Sequence, residues 1–304
     1  MSVVAAIDCG TNSIRLLVAQ VNSSGVLEDL DRRMIVIRLG EGVDQTGEIS
    51  SAALERAFIA CDEFASVIDK LGAQKVRFVA TSASRDAKNR QIFVDGVKSR
   101  IGVEPEVISG HEEATLSFNG ATGSLVAAQS PLLVIDIGGG STEFVLGVSA
   151  PTSAISVDMG CVRLTERILH DDPPSPAQID QASVFVDSLI AKAGEVVDFA
   201  QAKTLVGLAG SVTTVAAIAL GLDVYDSEAI HGSRIRAQQV HEVTKTLLGM
   251  TRAQRSTLGV MHPGRVDVIG SGALVLDRIM KATGIPEVLV SERDILDGIA
   301  QSLL

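Results

Sequence analysis

Cysteine is scarce in this chain: three residues, Cys9, Cys61 and Cys161, occur among 304, with no Cys-x-x-Cys spacing. An odd count without paired spacing excludes a disulfide framework and a structural zinc site, and a reducing compartment is expected. Long apolar runs are missing too. The N-terminus offers only VVAAI before its first Asp, too short for the apolar core of a signal peptide, and the most apolar later window, 206–222, is interrupted by Ser211, Thr213 and Thr214. A cytoplasmic, soluble protein with no membrane partner is the expectation. Basic excess is absent, because 26 Lys and Arg face 37 Asp and Glu for a formal net charge of −11. That balance argues against nucleic acid as a partner. Any polyanion would be repelled at long range and would need a local site with Mg²⁺ and placed arginines. No long run of like charge and no low-complexity segment occurs, so disordered tails are not indicated. No GxxxxGK[ST] is present, which excludes a P-loop, and HEEAT at 111–115 carries Thr where a zinc protease needs its second His. His170, His231 and His241 show no ligand spacing and read as surface or loop residues.

What the chain does have is apolar material, 46% of its residues, enough for two cores at this length. Apolar strands alternate with amphipathic helices from end to end, the pattern of an α/β protein. After a first hairpin the spacing predicts a strand over 33–39. A helix opened by Ser50 or Ser51 and stopped by Gly72 follows, with Leu54, Phe58, Cys61, Phe64, Val67, Ile68 and Leu71 on one face. Then come a strand over 76–80, a helix over 86–101, a strand over 106–109 and a helix from His111. The second half has its own hairpin, a strand over 154–157 and a long helix announced by Ser175, Pro176 and Gln178, an N-cap, an N1 proline and a capping-box partner. A strand over 204–208, a small-residue turn over 209–211 and a helix over 212–220 come next. Two further helices, a strand over 287–290 and a closing helix from Glu292 end the chain. The boundary between halves is placed in 122–130.

The strongest signal is a duplication. AIDCGTNSIRLLVA at 6–19 and VIDIGGGSTEFVLG at 134–147 align without gaps at an offset of 128 (Asp8 to Asp136), pairing Ile7 with Ile135, Gly10 with Gly138 and Ser13 with Ser141. Each copy is a strand ending in Asp, a turn of Gly and small hydroxyl residues, and a second strand. Such a turn aims backbone N–H groups and hydroxyls into one small space beside a carboxylate, which suits a phosphate and its metal ion. The candidate phosphate-binding residues are Thr11, Asn12, Ser13 and Arg15 in the first copy and Gly138, Gly139, Gly140, Ser141 and Thr142 in the second. Asp8, Asp136 and Glu143 are the candidate metal ligands. One copy alone reads equally as an ordinary β-turn; two matching copies favour phosphate.

Other segments carry two readings each. GLAGSVTT at 207–214, with Gly210 and Ser211, is either an anion site at a helix N-terminus or a tight turn needing glycine for geometry. Ser109 and Glu112 have capping-box spacing, which gives Glu112 a structural task. Glu113 is either a solvated carboxylate favoured by the helix dipole, the reading its sequence context favours, or one aimed into a cleft. Arg85, past the end of a buried strand, either binds phosphate or pairs with a surface carboxylate such as Asp86. Arg265 and Asp267 read as a ligand contact or, slightly better, as a local ion pair.

Taken in order and spacing, IDCGTNSIRLL, TSASR, VISGHEEA, VIDIGGGSTE, MGCVRLTE, LAGSVTT and HPGRVDVI resemble the exopolyphosphatase and guanosine-pentaphosphatase (Ppx/GppA) phosphatase family over nearly the whole chain. The hairpins are shared with all actin-like and sugar-kinase-like ATPases; ISGHEEA after TSASR is specific to the phosphatases. The resemblance implies an α/β chain of two actin-like domains (sugar kinase/actin/heat-shock ATPase superfamily, ribonuclease H-like) facing across a cleft, each a mixed five-stranded sheet with helices. Their bounds would be 1–124 and 125–291, with the closing helix, 292–304, packing back on the first. It implies that Glu113 is the catalytic base, that Arg85 contacts substrate phosphate, and that Asp136 and Glu143 serve Mg²⁺ and catalysis. The implied activity is Mg²⁺-dependent (Mn²⁺ possible) hydrolysis of the terminal phosphate of inorganic polyphosphate. Guanosine pentaphosphate 5′-phosphohydrolysis and nucleoside triphosphate hydrolysis are alternatives of the same chemistry. A non-catalytic actin-like protein that senses nucleotide or polyphosphate is the alternative from another class. A homodimer is implied as well. Larger members carry a further helical domain that this sequence lacks, so short polyphosphate chains are the expected substrates.

Overall fold

The computed structural model describes residues 2–22, 27–123, 125 and 128–304. Its chain divides into two compact units, Met1–Gly120 with Ile295–Leu304, and Ala121–Asp294. The expected boundary at 122–130, and the limit at 124, include residues 124, 126 and 127, which lie outside the described residues.

In the first unit β1 (Val3–Cys9), β2 (Ser13–Val21) and β3 (Leu27–Val36) form an antiparallel meander. Next come α1 (Val43–Thr46), α2 (Ser51–Leu71), β4 (Lys75–Ala80), α3 (Ser82–Asp86), α4 (Arg90–Ile101), β5 (Glu106–Val107) and α5 (Gly110–Thr122). The sheet order is β3-β2-β1-β4-β5, with β4 and β5 parallel to β1. Alternation along β1 explains why VVAAI has no polar face: Ala5, Ile7 and Cys9 meet Phe64, Phe78 and Phe93 on one side, while Val4 and Ala6 join Leu116 of α5 and Ile295, Leu296 and Ile299 on the other. Those last three belong to α13 (Ile295–Gln301), which Arg32 ties to the sheet through Asp297 at 2.5 Å. Ser50 caps α2 by accepting from the Ala53 N–H, and Gly72 ends it in the left-handed region at φ 68°.

The second unit repeats this plan with one addition. It runs through β6 (Leu132–Ile137), β7 (Thr142–Gly147), β8 (Pro151–Val157), α6 (Cys161–Arg167), α7 (Pro176–Gly194), β9 (Thr204–Leu208), α8 (Ala209–Ala219) and α9 (Ser227–Ile230). It continues with β10 (Arg234–Arg236), α10 (Ala237–Gly249), α11 (Arg252–Arg255), α12 (Ile269–Thr283) and β11 (Glu287–Val290). The order β10-β11-β9-β6-β7-β8 contains the five-strand order of the first sheet, with β10 added antiparallel at the edge. The capping box of α7 forms between Ser175 and Gln178 as its spacing requires.

Several elements differ from the periodicity. The strand expected over 33–39 begins at Leu27 and stops at Val36, because residues 37–40 leave the sheet to bind the first hairpin's turn. The acidic run 28–31 is tolerated because β3 is an edge strand. The helix expected over 86–101 begins only at Arg90, as α4, with Asp86 ending α3 instead, since Asn89 turns aside to exchange two hydrogen bonds with the backbone of Ile49, each 2.9 Å. The strand expected over 106–109 covers only Glu106–Val107, and that over 154–157 starts at Pro151. The turn expected over 209–211 is absorbed into α8, with the change of direction made at Ala209, φ 67°. Four helices and β10, not two helices, separate α8 from β11, and the last helix starts at Ile295 rather than Glu292. The second sheet has six strands, not five. Among the described residues no helix is long and apolar enough to cross a membrane.

Candidate active site

The two hairpins have the same register. Asp8 lies opposite Arg15 and Asp136 opposite Glu143, and in each turn the glycine N–H bonds the serine carbonyl, Gly10 to Ser13 at 2.9 Å and Gly138 to Ser141 at 3.0 Å. Directly opposed residues share a face of the sheet. One hairpin therefore holds an ion pair where the other holds two carboxylates. Arg15 donates to Asp8 Oδ2 from Nε at 3.0 Å and from Nη2 at 2.6 Å. Arg15 and Asp8, expected to meet phosphate and metal, are joined to each other. Asp136 and Glu143 are both buried, and the Ser156 hydroxyl, opposite Glu143 on β8, donates to Glu143 Oε1 at 2.7 Å. Like charges so placed repel, and a divalent cation would offset that repulsion. Among the described residues no three His, Cys, Asp or Glu side chains cluster to cage a metal. A carboxylate pair with hard oxygen neighbours fits Mg²⁺, which keeps waters and takes phosphate oxygens as its other ligands.

Each turn is held by its carbonyls. In the first, the Asn12 carbonyl accepts from Ile37 and Arg38 and the Thr11 carbonyl from Gly40, at 2.8–3.0 Å. Arg38 adopts φ 48° to make that approach, a conformation costly for a side chain outside glycine. In the second, Gly138 accepts from Cys161, Gly139 from Val162 and Arg163, and Gly140 from the Arg163 Nε, at 2.9–3.1 Å. Thr142 donates its hydroxyl to the Met159 carbonyl. With the carbonyls taken, no backbone hydrogen bond among the described residues uses the N–H groups of Gly139, Gly140 or Ser141. Three successive N–H groups in a turn are the donors that an anion nest would use.

The first unit gathers its remaining candidates at the carboxyl ends of β1, β4 and β5, where open α/β sheets bind ligands. Thr11 Oγ1 shares a buried 2.7 Å hydrogen bond with Ser82 Oγ, joining the first turn to α3, and Ser13 opens β2. Arg85, at the end of α3, donates from Nη1 to the Ile108 carbonyl at 2.9 Å and to Glu113 Oε2 at 3.2 Å. Glu113 is 8% exposed, so the reading of it as a solvated carboxylate is corrected. It sits in the first turn of α5, its N–H donating to the Ser109 carbonyl, and its carboxylate is covered by Arg85 at the end of α3. The expected pairing of Arg85 with Asp86 gives way to Glu113 as well. Ser109 Oγ accepts from the Glu112 N–H as half of a capping box, while the Glu112 carboxylate goes to Arg77 at 2.8 Å.

At the third turn the left-handed residue is Ala209, φ 67°, and Gly210 lies beneath a long side chain. A Cβ on Gly210 would lie 2.0 Å from Cζ of Arg265, whose guanidinium covers the start of α8 and donates to the Gly210 carbonyl and Thr214 Oγ1 at 3.3 and 3.4 Å. Ser211 is buried and packs inward against Gly272 and Cys161. Arg265 is a cation at this turn. Sequence reasoning missed Ser82, Gly160 and Arg163. MGCVRLTE was visible as a motif, but nothing in it shows that its amides hold the second turn.

A profile of the Ppx/GppA phosphatase family matches residues 17–304. The chain belongs to the Ppx/GppA phosphatase family. Exopolyphosphatase 2 of Mycobacterium tuberculosis is 47% identical over 99% of this chain and 98% of its own. The bifunctional 3-dehydroquinate synthase/phosphatase of Fusobacterium nucleatum is 31% identical over 97% of this chain and 45% of its own. Among solved structures, an exopolyphosphatase-like protein superposes with TM-score 0.95 at 45% identity, covering 99% of this chain and 97% of that one. The Aquifex aeolicus family member gives 0.83 at 28% identity, covering 99% and 97%. The paired mixed sheets are those of the family's actin-like fold.

Proposed function

We propose that this chain is an exopolyphosphatase, hydrolysing the terminal phosphoanhydride of inorganic polyphosphate in the cytoplasm with Mg²⁺ or Mn²⁺. The observation that carries the reading is the buried Glu113 carboxylate held by Arg85 at 3.2 Å, in a family of phosphatases. Glu113 takes a proton from a water molecule as the water oxygen attacks the terminal phosphorus. The bridging P–O bond breaks, and the products are orthophosphate and a chain one unit shorter. Arg85 stabilises charge on the transferring phosphoryl oxygens, and in the second unit the N–H groups of Gly139, Gly140 and Ser141 are the donors available to phosphate oxygens. Asp136 and Glu143 would hold the divalent ion, which when bound neutralises charge on the phosphates. The relatives' name, exopolyphosphatase, supports the substrate class, and three buried free cysteines suit a reducing compartment.

The test is phosphate release measured side by side on short polyphosphate, long polyphosphate, guanosine pentaphosphate and ATP. Polyphosphate is expected to lead, and guanosine pentaphosphate turned over faster than either polyphosphate would reassign the substrate. Glu113→Gln should retain substrate binding and lose turnover by on the order of a hundredfold or more. Near-normal release by that variant, or tight binding by wild type without release, would overturn the reading.

A further inference from the structure

Arg85 uses only one corner of its guanidinium within the fold. Nη1 carries both of its hydrogen bonds, to the Ile108 carbonyl and to Glu113 Oε2, while Nε and Nη2 have no partner among the described residues. The side chain is 27% exposed and that of Glu113 11%. Backbone contacts fix this corner: the Arg85 N–H bonds the Thr81 carbonyl at 3.0 Å, the Ile108 N–H bonds the Ala80 carbonyl at 3.1 Å, and the Glu113 N–H bonds the Ser109 carbonyl at 3.0 Å. Three segments at the ends of β4 and β5 thus converge on one nitrogen. The planar fork leaves its other edge, Nε with Nη2, in the geometry that binds two oxygens of a phosphate.

Resting on the function proposed above, we propose that Arg85 acts on both sides of the reaction: its Nε and Nη2 edge binds the terminal phosphate, and its Nη1 positions the Glu113 carboxylate for the attacking water. One rigid group then sets the distance between phosphate and base. A lysine has one ammonium and no second edge, so it supplies charge to one partner and loses the other. The role toward phosphate enters KM and kcat whatever residue stands at 113, and the positioning role is the further loss of kcat that requires Glu113.

A double-mutant cycle with Arg85→Lys, Arg85→Ala and Glu113→Gln separates these, with phosphate release on short polyphosphate as the assay and thermal unfolding as the check on folding. Arg85→Lys is expected to raise KM by about tenfold and to lower kcat by on the order of a hundredfold, the cost of a misplaced base. In the Glu113→Gln background Arg85→Ala should raise KM as before but lower the residual kcat by a much smaller factor than it does with Glu113 present, since no carboxylate remains to be positioned. Guanidinium ion at tens of millimolar should restore part of the kcat of Arg85→Ala, and by a smaller factor in the double variant. If Arg85→Lys changes KM alone, or if Arg85→Ala lowers kcat equally in both backgrounds, the positioning role is wrong. That failure differs from failure of the parent reading, which is near-normal turnover by Glu113→Gln alone. Should Arg85→Ala fail to fold, the cycle runs with Arg85→Lys, which keeps a cation beside the buried carboxylate.

Discussion

Gly160→Ala adds one methyl group, removes no functional group, and should nonetheless disable the site. A Cβ at position 160 would stand 2.2 Å from the Gly139 oxygen, 2.3 Å from its carbonyl carbon and 2.4 Å from the Gly140 nitrogen. All three are backbone atoms, so no change of rotamer relieves the contact. Ordinary contact begins at 3.4 Å, so the turn and the start of α6 must separate by about 1.2 Å. That movement carries the bonds from Cys161, Val162 and Arg163 to the turn, now 2.9–3.1 Å, beyond hydrogen-bonding range. Released carbonyls let the peptide planes rotate, and the three N–H groups lose their common aim. A displacement near 1 Å in a positioned group costs on the order of a hundredfold in rate, and overpacking of this kind about 1–3 kcal/mol in stability. The expected outcome is a loss in kcat/KM of on the order of a hundredfold on short polyphosphate, with cooperative unfolding at a reduced Tm. Gly249→Ala, where nothing lies within 4 Å of the new methyl, is the control and should match wild type. A Gly160→Ala enzyme within twofold of wild-type kcat/KM would refute the claim that α6 shapes the phosphate turn.

Two further predictions rest on charge. Chelation of divalent ions should abolish phosphate release, with recovery on adding Mg²⁺ or Mn²⁺, and Glu143→Gln should weaken Mn²⁺ binding at least about tenfold in a direct titration; unchanged affinity would remove Glu143 from the metal site. His262 is held below the ordinary histidine range, first by burial and then by Arg265, and its Nδ1 accepts from the Gly264 N–H at 3.1 Å. Above about pH 6.5 both folded and unfolded chains carry it neutral; below that the unfolded chain takes up the proton first, so stability falls as pH drops. His262→Asn should flatten that part of the stability profile measured by denaturant unfolding, and an unchanged slope below pH 6.5 would discount the residue.

The twin hairpins were legible because they are local: a strand, a turn and a strand within fourteen residues repeat at a fixed offset, and cross-strand register follows from turn length. Strand periodicity, the Ser50 and Ser175 caps and the Gly72 stop were legible for the same reason. Family membership, too, lay in motif order along the chain. That Arg15 closes on Asp8 was hidden, because register sets the two opposite but only the folded side chain shows which partner the guanidinium takes. The environment of Glu113 was hidden more deeply. Its sequence neighbours read as a solvated helix start, and its burial against Arg85 depends on α3 and α5 meeting at the ends of β4 and β5, 28 positions apart in the chain. Gly160 was out of reach likewise, and Arg265 was visible without its place over α8, since a missing Cβ or a covering guanidinium has meaning only against the backbone it meets. Local patterning thus determined the elements and the kind of ligand. Tertiary packing alone decided which carboxylate meets an arginine, which is buried, and which turn is held by its carbonyls, because solvation and charge pairing are properties of neighbours in space.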